Sequence, residues 1–205
     1  MSEPRSTSEP RDEFELIREA KRGSNVALDR LFRRYGSRLL GLIRLRMGPS
    51  LRRRLESQDV LQSTMIKAFE RLEQFEGAGE TSLMGWLGAI ARNEIRDQAK
   101  FHGRGARDAG CDVPLEVMVG AAAEPLRSEV SRIHLHDQAR RLEAAIEALE
   151  EPHREMILLR RFEELSFPQI GRLLGKSPDA CRMLYGRAMA ALTVRLSDGG
   201  ELGAR

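Results

Sequence analysis

The tightest constraint on how this chain folds lies in one short stretch, SFPQIGRLLGKSP (166–178). Ser166 and Gln169 form an S-x-x-Q capping box, in which each side chain satisfies a backbone group of the other. Ile170, Leu173 and Leu174 then give a short helix an inward face, and Gly175 stands where a left-handed C′ residue belongs. Ser177 caps the next helix with Pro178 at its first position, and the apolar period continues to about Leu196. A short helix, a glycine turn and a longer helix make a helix-turn-helix. The same unit also serves as a plain helical corner, so DNA binding needs support from elsewhere in the chain.

The remaining sequence reads as helices too. Asp12 can cap a helix that ends at Gly23. Asn25 caps a longer one whose face is Leu28, Leu31, Phe32, Tyr35, Leu39, Leu42 and Ile43, stopped by Gly48-Pro49. Ser57 caps a third, with Val60, Leu61, Thr64, Met65, Ala68, Phe69 and Leu72 inward. After the loop FEGAGETS (75–82), Thr81 or Ser82 opens a fourth that runs to about Gly103. Residues 105–127 lose all period and carry Gly, Pro and small side chains, which marks a flexible linker. Beyond it, Leu135, Ala139, Leu142, Ile146 and Leu149 form one core face, and Pro152 begins a helix bearing Met156, Ile157 and Leu159. The expected fold is all-α: a disordered arm (1–11), a helical domain (12–104), the linker, a second small helical domain (128–197) and a tail (198–205).

Aromatic residues make up only 5% of the chain, against 41% hydrophobic and 32% charged, which argues against a β-sandwich. No apolar run is long enough to cross a membrane, and the N-terminal residues lack the apolar segment of a secretory signal, so a cytoplasmic protein without membrane insertion is expected. Cys111 and Cys181 form no metal-type pair. His134 and His136, two apart on a helix, point to different faces. No phosphate-binding loop, nucleophile elbow or zinc-protease motif occurs, so neither catalysis, a metal nor a cofactor is expected.

Charge separates the two halves. Residues 14–107 hold 19 basic and 11 acidic groups, whereas 142–205 hold nine and ten. Within the basic half, Arg92, Arg96, Lys100 and Arg104 recur every four residues and make a ridge along the fourth helix, suited to successive phosphates. Asn93 beside it offers both a donor and an acceptor to a base edge. Phe75 at the loop entrance could stack on a base, although a Phe there more commonly belongs to the core. Trp86 falls on the inward face with Leu87 and Ile90.

Four segments in order carry a family resemblance: LDRLFRRYGSRLL (28–40), QDVLQSTMIKAFERLEQF (58–75), GWLGAIARNEIRDQAK (85–100) and LEEPHREMILLRRFEELSFPQIGRLLGKSPDACRMLYGRAMAAL (149–192). The chain resembles a bacterial RNA polymerase sigma factor of the extracytoplasmic-function (ECF) type, which holds only sigma domains 2 and 4. The resemblance implies a factor that binds core RNA polymerase through its β′ clamp helices and β flap. It would direct initiation at promoters by recognising −10 and −35 elements in DNA. By the same resemblance, Asp59, Val60, Leu61, Gln62 and Met65 would dock on the polymerase. Lys67, Phe75, Arg92, Asn93, Arg96 and Lys100 would serve the −10 element, and Ser177, Arg182, Leu184 and Arg187 the −35 element. Leu184 stands where the family often has arginine. An anti-sigma factor is a further candidate partner. The rival readings are a stand-alone helix-turn-helix transcriptional regulator, which would self-associate and bind duplex DNA without polymerase, and a protein-interaction module with no DNA affinity.

Overall fold

The computed structural model describes residues 10–76, 82–103 and 129–201. The linker 105–127, the bulk of the N-terminal arm, most of the loop after Phe75, Thr81, Arg104 and Cys111 lie outside them. Every regular element among the described residues is helical.

Helices α1 (Pro10–Lys21), α2 (Asn25–Arg52), α3 (Ser57–Glu70) and α4 (Leu83–Gly103) build the N-terminal unit. Helix α2 packs on α1, α3 and α4, with Leu39, Leu42 and Ile43 fully buried at its centre. Local chemistry shifts some expected boundaries. Ser24, not Asn25, caps α2, its hydroxyl accepting from the Ala27 amide at 3.3 Å. Glu56 occupies the cap position of α3 without a side-chain bond, leaving Ser57 inside the helix. At Gly48 (φ 63°) the helical geometry breaks, but the chain resumes it to Arg52 rather than stopping. Ser82 does cap α4, accepting from Gly85 at 3.1 Å. A 3-10 turn (Leu72–Gln74) closes the unit, tied down by the Lys21 ammonium, which donates to the Phe75 carbonyl at 2.5 Å.

The C-terminal unit comprises α5 (Glu129–Glu147), α6 (Glu151–Ile157), a π-helical turn (Leu158–Phe162), α7 (Phe167–Leu174) and α8 (Pro178–Glu201). Both bonds of the capping box form: the Gln169 amide donates to the Ser166 hydroxyl, and the Ser166 amide to Gln169 Oε1 at 2.6 Å. Gly175 adopts the left-handed conformation (φ 64°), and Ser177 accepts from the Ala180 amide at 3.1 Å. The turn closes so tightly over Gly171 that a Cβ there would stand 2.5 Å from the Lys176 carbonyl oxygen. Cys181, Ile170, Leu165, Leu159 and Met156 form the small core that locks α7 to α8. Leu142 and Leu173, both expected inward, are exposed.

The two units touch. Helix α2 packs on α5, and both α2 and α4 meet the π-helical turn. Ala145, Ile146, Ile157 and Leu158 of the second unit share one apolar cluster with the core of the first.

Candidate functional surfaces

Between α2 and α3 runs an open groove of about 640 Å³, lined by Phe32, Gly36, Ser37 and Leu40 on one side and by Gln58, Leu61, Gln62, Met65, Ile66 and Phe69 on the other. Phe32 was expected in the core, yet it is 41% exposed, and Ile66 is 51% exposed. Large apolar side chains side by side in water mark an interaction surface. The expected polymerase-docking set divides accordingly. Asp59 and Gln62 are exposed, whereas Leu61 and Met65 are buried as the groove floor. Val60 is 1% exposed and faces the interior, so it is removed from the contact set. Sequence periodicity missed Phe32 and Ile66 as surface anchors. The available signal was Ile66 itself, an apolar residue off the inward stripe of its helix.

On α4 the basic ridge is not uniform. Arg96, Lys100 and Asn93 are exposed, and Arg96 donates to Asn93 Oδ1 at 3.4 Å. Arg92 is half-buried and its guanidinium is paired with Glu163 of the other unit. Burial, with the nearby charge of Arg46 adding to it, brings the Arg92 pKa down to about 10, still well above neutrality. Lys67 pairs with Glu94, which is buried in α4 and also accepts from Gln98 at 3.0 Å. Burial alone would raise the Glu94 pKa, but the bonds from Lys67 and Gln98 and the Lys67 charge outweigh it and hold the carboxyl below its ordinary range. Part of the Lys67 charge is therefore already committed to Glu94.

Phe75 is 5% exposed and packs on Trp86 with ring centroids 5.2 Å apart, so in this conformation its ring is part of the core.

Helix α8 carries the −35 candidates. Ser177 is exposed and acts as the cap, holding the helix start in register. Arg182 is exposed, pairs with Asp179 and lies 5.6 Å over the Phe167 ring, which fixes it near the start of the helix. Arg187 is exposed further along. Leu184 is partly buried and packs against the small core with Tyr185.

Two helical units, one with an exposed apolar groove and a basic helix and the other a helix-turn-helix, define a DNA-associated α-protein. Comparison with known proteins narrows the class. Sigma-70 region 2 matches residues 31–105, and Sigma-70 region 4 matches residues 139–192. The RNA polymerase sigma factor CarQ of Myxococcus xanthus is 30% identical over 177 residues, covering 86% of this chain and 92% of CarQ. The RNA polymerase sigma-H factor of Pseudomonas aeruginosa is 29% identical over 87% of this chain and 90% of its own length. Among solved structures, CnrH in complex with the cytosolic domain of CnrY shares the fold at a TM-score of 0.53 and 23% identity, covering 89% of this chain and 96% of that one. The sigma factor RpoE bound to the anti-sigma factor NepR from Bartonella quintana does so at 0.50 and 20% identity, over 82% and 93% of the two chains. The chain belongs to the ECF subfamily of RNA polymerase sigma factors, proteins that direct transcription initiation at promoters.

Among the described residues, no helix is long and apolar enough to cross a membrane.

Proposed function

We propose that the N-terminal unit, residues 12–104, docks on the β′ clamp helices of core RNA polymerase through the α2–α3 groove. In this reading Phe32 and Ile66 are apolar anchors, Leu61 and Met65 the floor, and Asp59 and Gln62 the polar rim. Exposed Asn93, Arg96 and Lys100, with Lys67 paired to Glu94 of the same helix, serve the −10 element. Residues 128–197 read the −35 element through α8 and meet the β flap. The protein acts in the cytoplasm as a specificity factor and performs no catalysis of its own. An anti-sigma partner is extended to this chain from the solved relatives that carry one.

The observation that carries this reading is the joining of two features in one chain. A helix-turn-helix presents arginines on the exposed side of its second helix, and a separate helical unit holds an unpartnered apolar groove.

The two arginines of α8 have different tasks. Five residues apart, they diverge by about 140° around the helix, so they cannot address one base together. A recognition helix reads bases mainly through its N-terminal half. Arg182, held there by Phe167 and Asp179, is the base reader, and Arg187 holds the backbone. Run-off transcription with core polymerase on a promoter library tests this division. Arg182→Ala should flatten preference at one or two −35 positions, a loss of roughly 1–3 kcal/mol of discrimination. Arg187→Ala should weaken every promoter alike. The reverse pattern would exchange the roles, and no change in either variant would remove α8 as the reader.

A further inference from the structure

Cys181 and Ala188, both fully buried, define the side of α8 that faces its own core. The opposite side is the one free to enter a DNA groove. At about 100° per residue, Met183 stands there, roughly 160° from Cys181 and about 140° from Ala188. It is 63% exposed. Among the described residues, it joins neither apolar cluster of the molecule. Arg182 lies about 100° to one side of it and Arg187 about 40° to the other, so Met183 falls between the two guanidinium groups. Asp179, one turn earlier on the same side, has its carboxylate engaged by Arg182. Gly186, one turn later, brings no side chain, and a Cβ built there would meet nothing within 4 Å beyond its own stretch of helix. Packing within the chain therefore gives Met183 no task.

We propose that Met183 selects thymine at one position of the −35 element, by laying its thioether against the thymine C5 methyl group in the major groove. That methyl is the apolar group among the base edges displayed there; the others offer donors and acceptors. A thioether donates nothing and accepts weakly. It therefore gains from the methyl, and it leaves the polar edge of any other base short of a partner. Its flexible, unbranched chain fits itself between Arg182, which hydrogen-bonds a neighbouring base, and Arg187 on the backbone. Gly186 keeps the approach free of a competing side chain. One position is thus read by apolar contact and the next by hydrogen bonds. The inference rests on the reading of α8 as the −35 helix and adds the chemistry of one contact to it.

The test uses holoenzyme assembled from core polymerase and the full-length chain, at limiting concentration, on the −35 element preferred in a promoter library. Each thymine of that element, on either strand, is replaced in turn by deoxyuridine, which removes the C5 methyl and nothing else. Wild type should lose roughly fourfold in initiation at one position, the ratio expected for one buried methyl-sized group. Met183→Ala should transcribe the thymine and deoxyuridine promoters alike, whereas Met183→Leu should restore the difference. Circular dichroism checks that each variant keeps its helices. The deoxyuridine series on wild type needs no variant, so it decides even if a substitution fails to fold. A preferred element in which no thymine methyl matters overturns the inference. So does a methyl effect that persists in Met183→Ala, and a uniform loss on all promoters in that variant would then assign Met183 to a protein contact. Transcription indifferent to the whole −35 sequence overturns the reading of α8 itself, and that result is told apart because Arg182→Ala then changes no preference either.

Discussion

Replacing Phe32 and Ile66 together with glutamate should abolish co-purification with core RNA polymerase while leaving the helical content intact. Both residues are already about half exposed, so the free protein loses less packing than at a buried site. In the docked state they would be the desolvated centre of the interface. Truncating such anchors typically costs about 2 kcal/mol or more apiece, and a carboxylate in their place adds its own desolvation. Affinity should therefore fall by roughly a thousandfold or more. Asp59→Arg with Gln62→Ala, at the rim, should cost far less and act mainly on the association rate. Binding that survives the double glutamate variant would remove the groove as the docking surface.

Gly171→Val should dismantle the helix-turn-helix. The added Cβ meets the Lys176 carbonyl oxygen, a backbone atom that cannot rotate away, and Pro178 N lies 3.6 Å from the same position. Relief requires the turn to open, which separates Cys181 and Ile170 in a core too small to re-form around the change. Overpacking of this severity costs about 3 kcal/mol or more. By comparison, Ser166→Ala removes one cap for about 1 kcal/mol. Thermal unfolding of the full-length chain should show the C-terminal transition shifted strongly down in Gly171→Val and slightly in Ser166→Ala. A melting profile indistinguishable from wild type in Gly171→Val would contradict the packing of this turn.

The helix-turn-helix was legible because its signals are local. Ser166, Gln169, Gly175, Ser177 and Pro178 act on backbone groups within a few residues, and each does in the structure what its position requires. Periodicity also identified the buried stripes of α2 and α3, but it reports a face and not what covers that face. Phe32 shares a stripe with Leu31 and Tyr35, yet it overhangs the edge of α3 and stays in solvent. Phe75 sits at a loop entrance, where sequence does not decide between solvent and core; the nearby Trp86 ring decides it. The ridge on α4 was legible as a spacing, but the partner of Arg92 was not. Glu163 lies 71 residues away, between Phe162 and Glu164, and no local rule pairs it with α4.

The central claim, that this chain confers promoter selection on RNA polymerase, is tested most directly by run-off transcription with purified core enzyme and a promoter library. Discrete transcripts should appear only when the chain is added, and aligned start sites should share two conserved elements upstream. The claim is contradicted if core enzyme plus the chain yields no specific transcript while the chain alone self-associates and binds duplex DNA tightly.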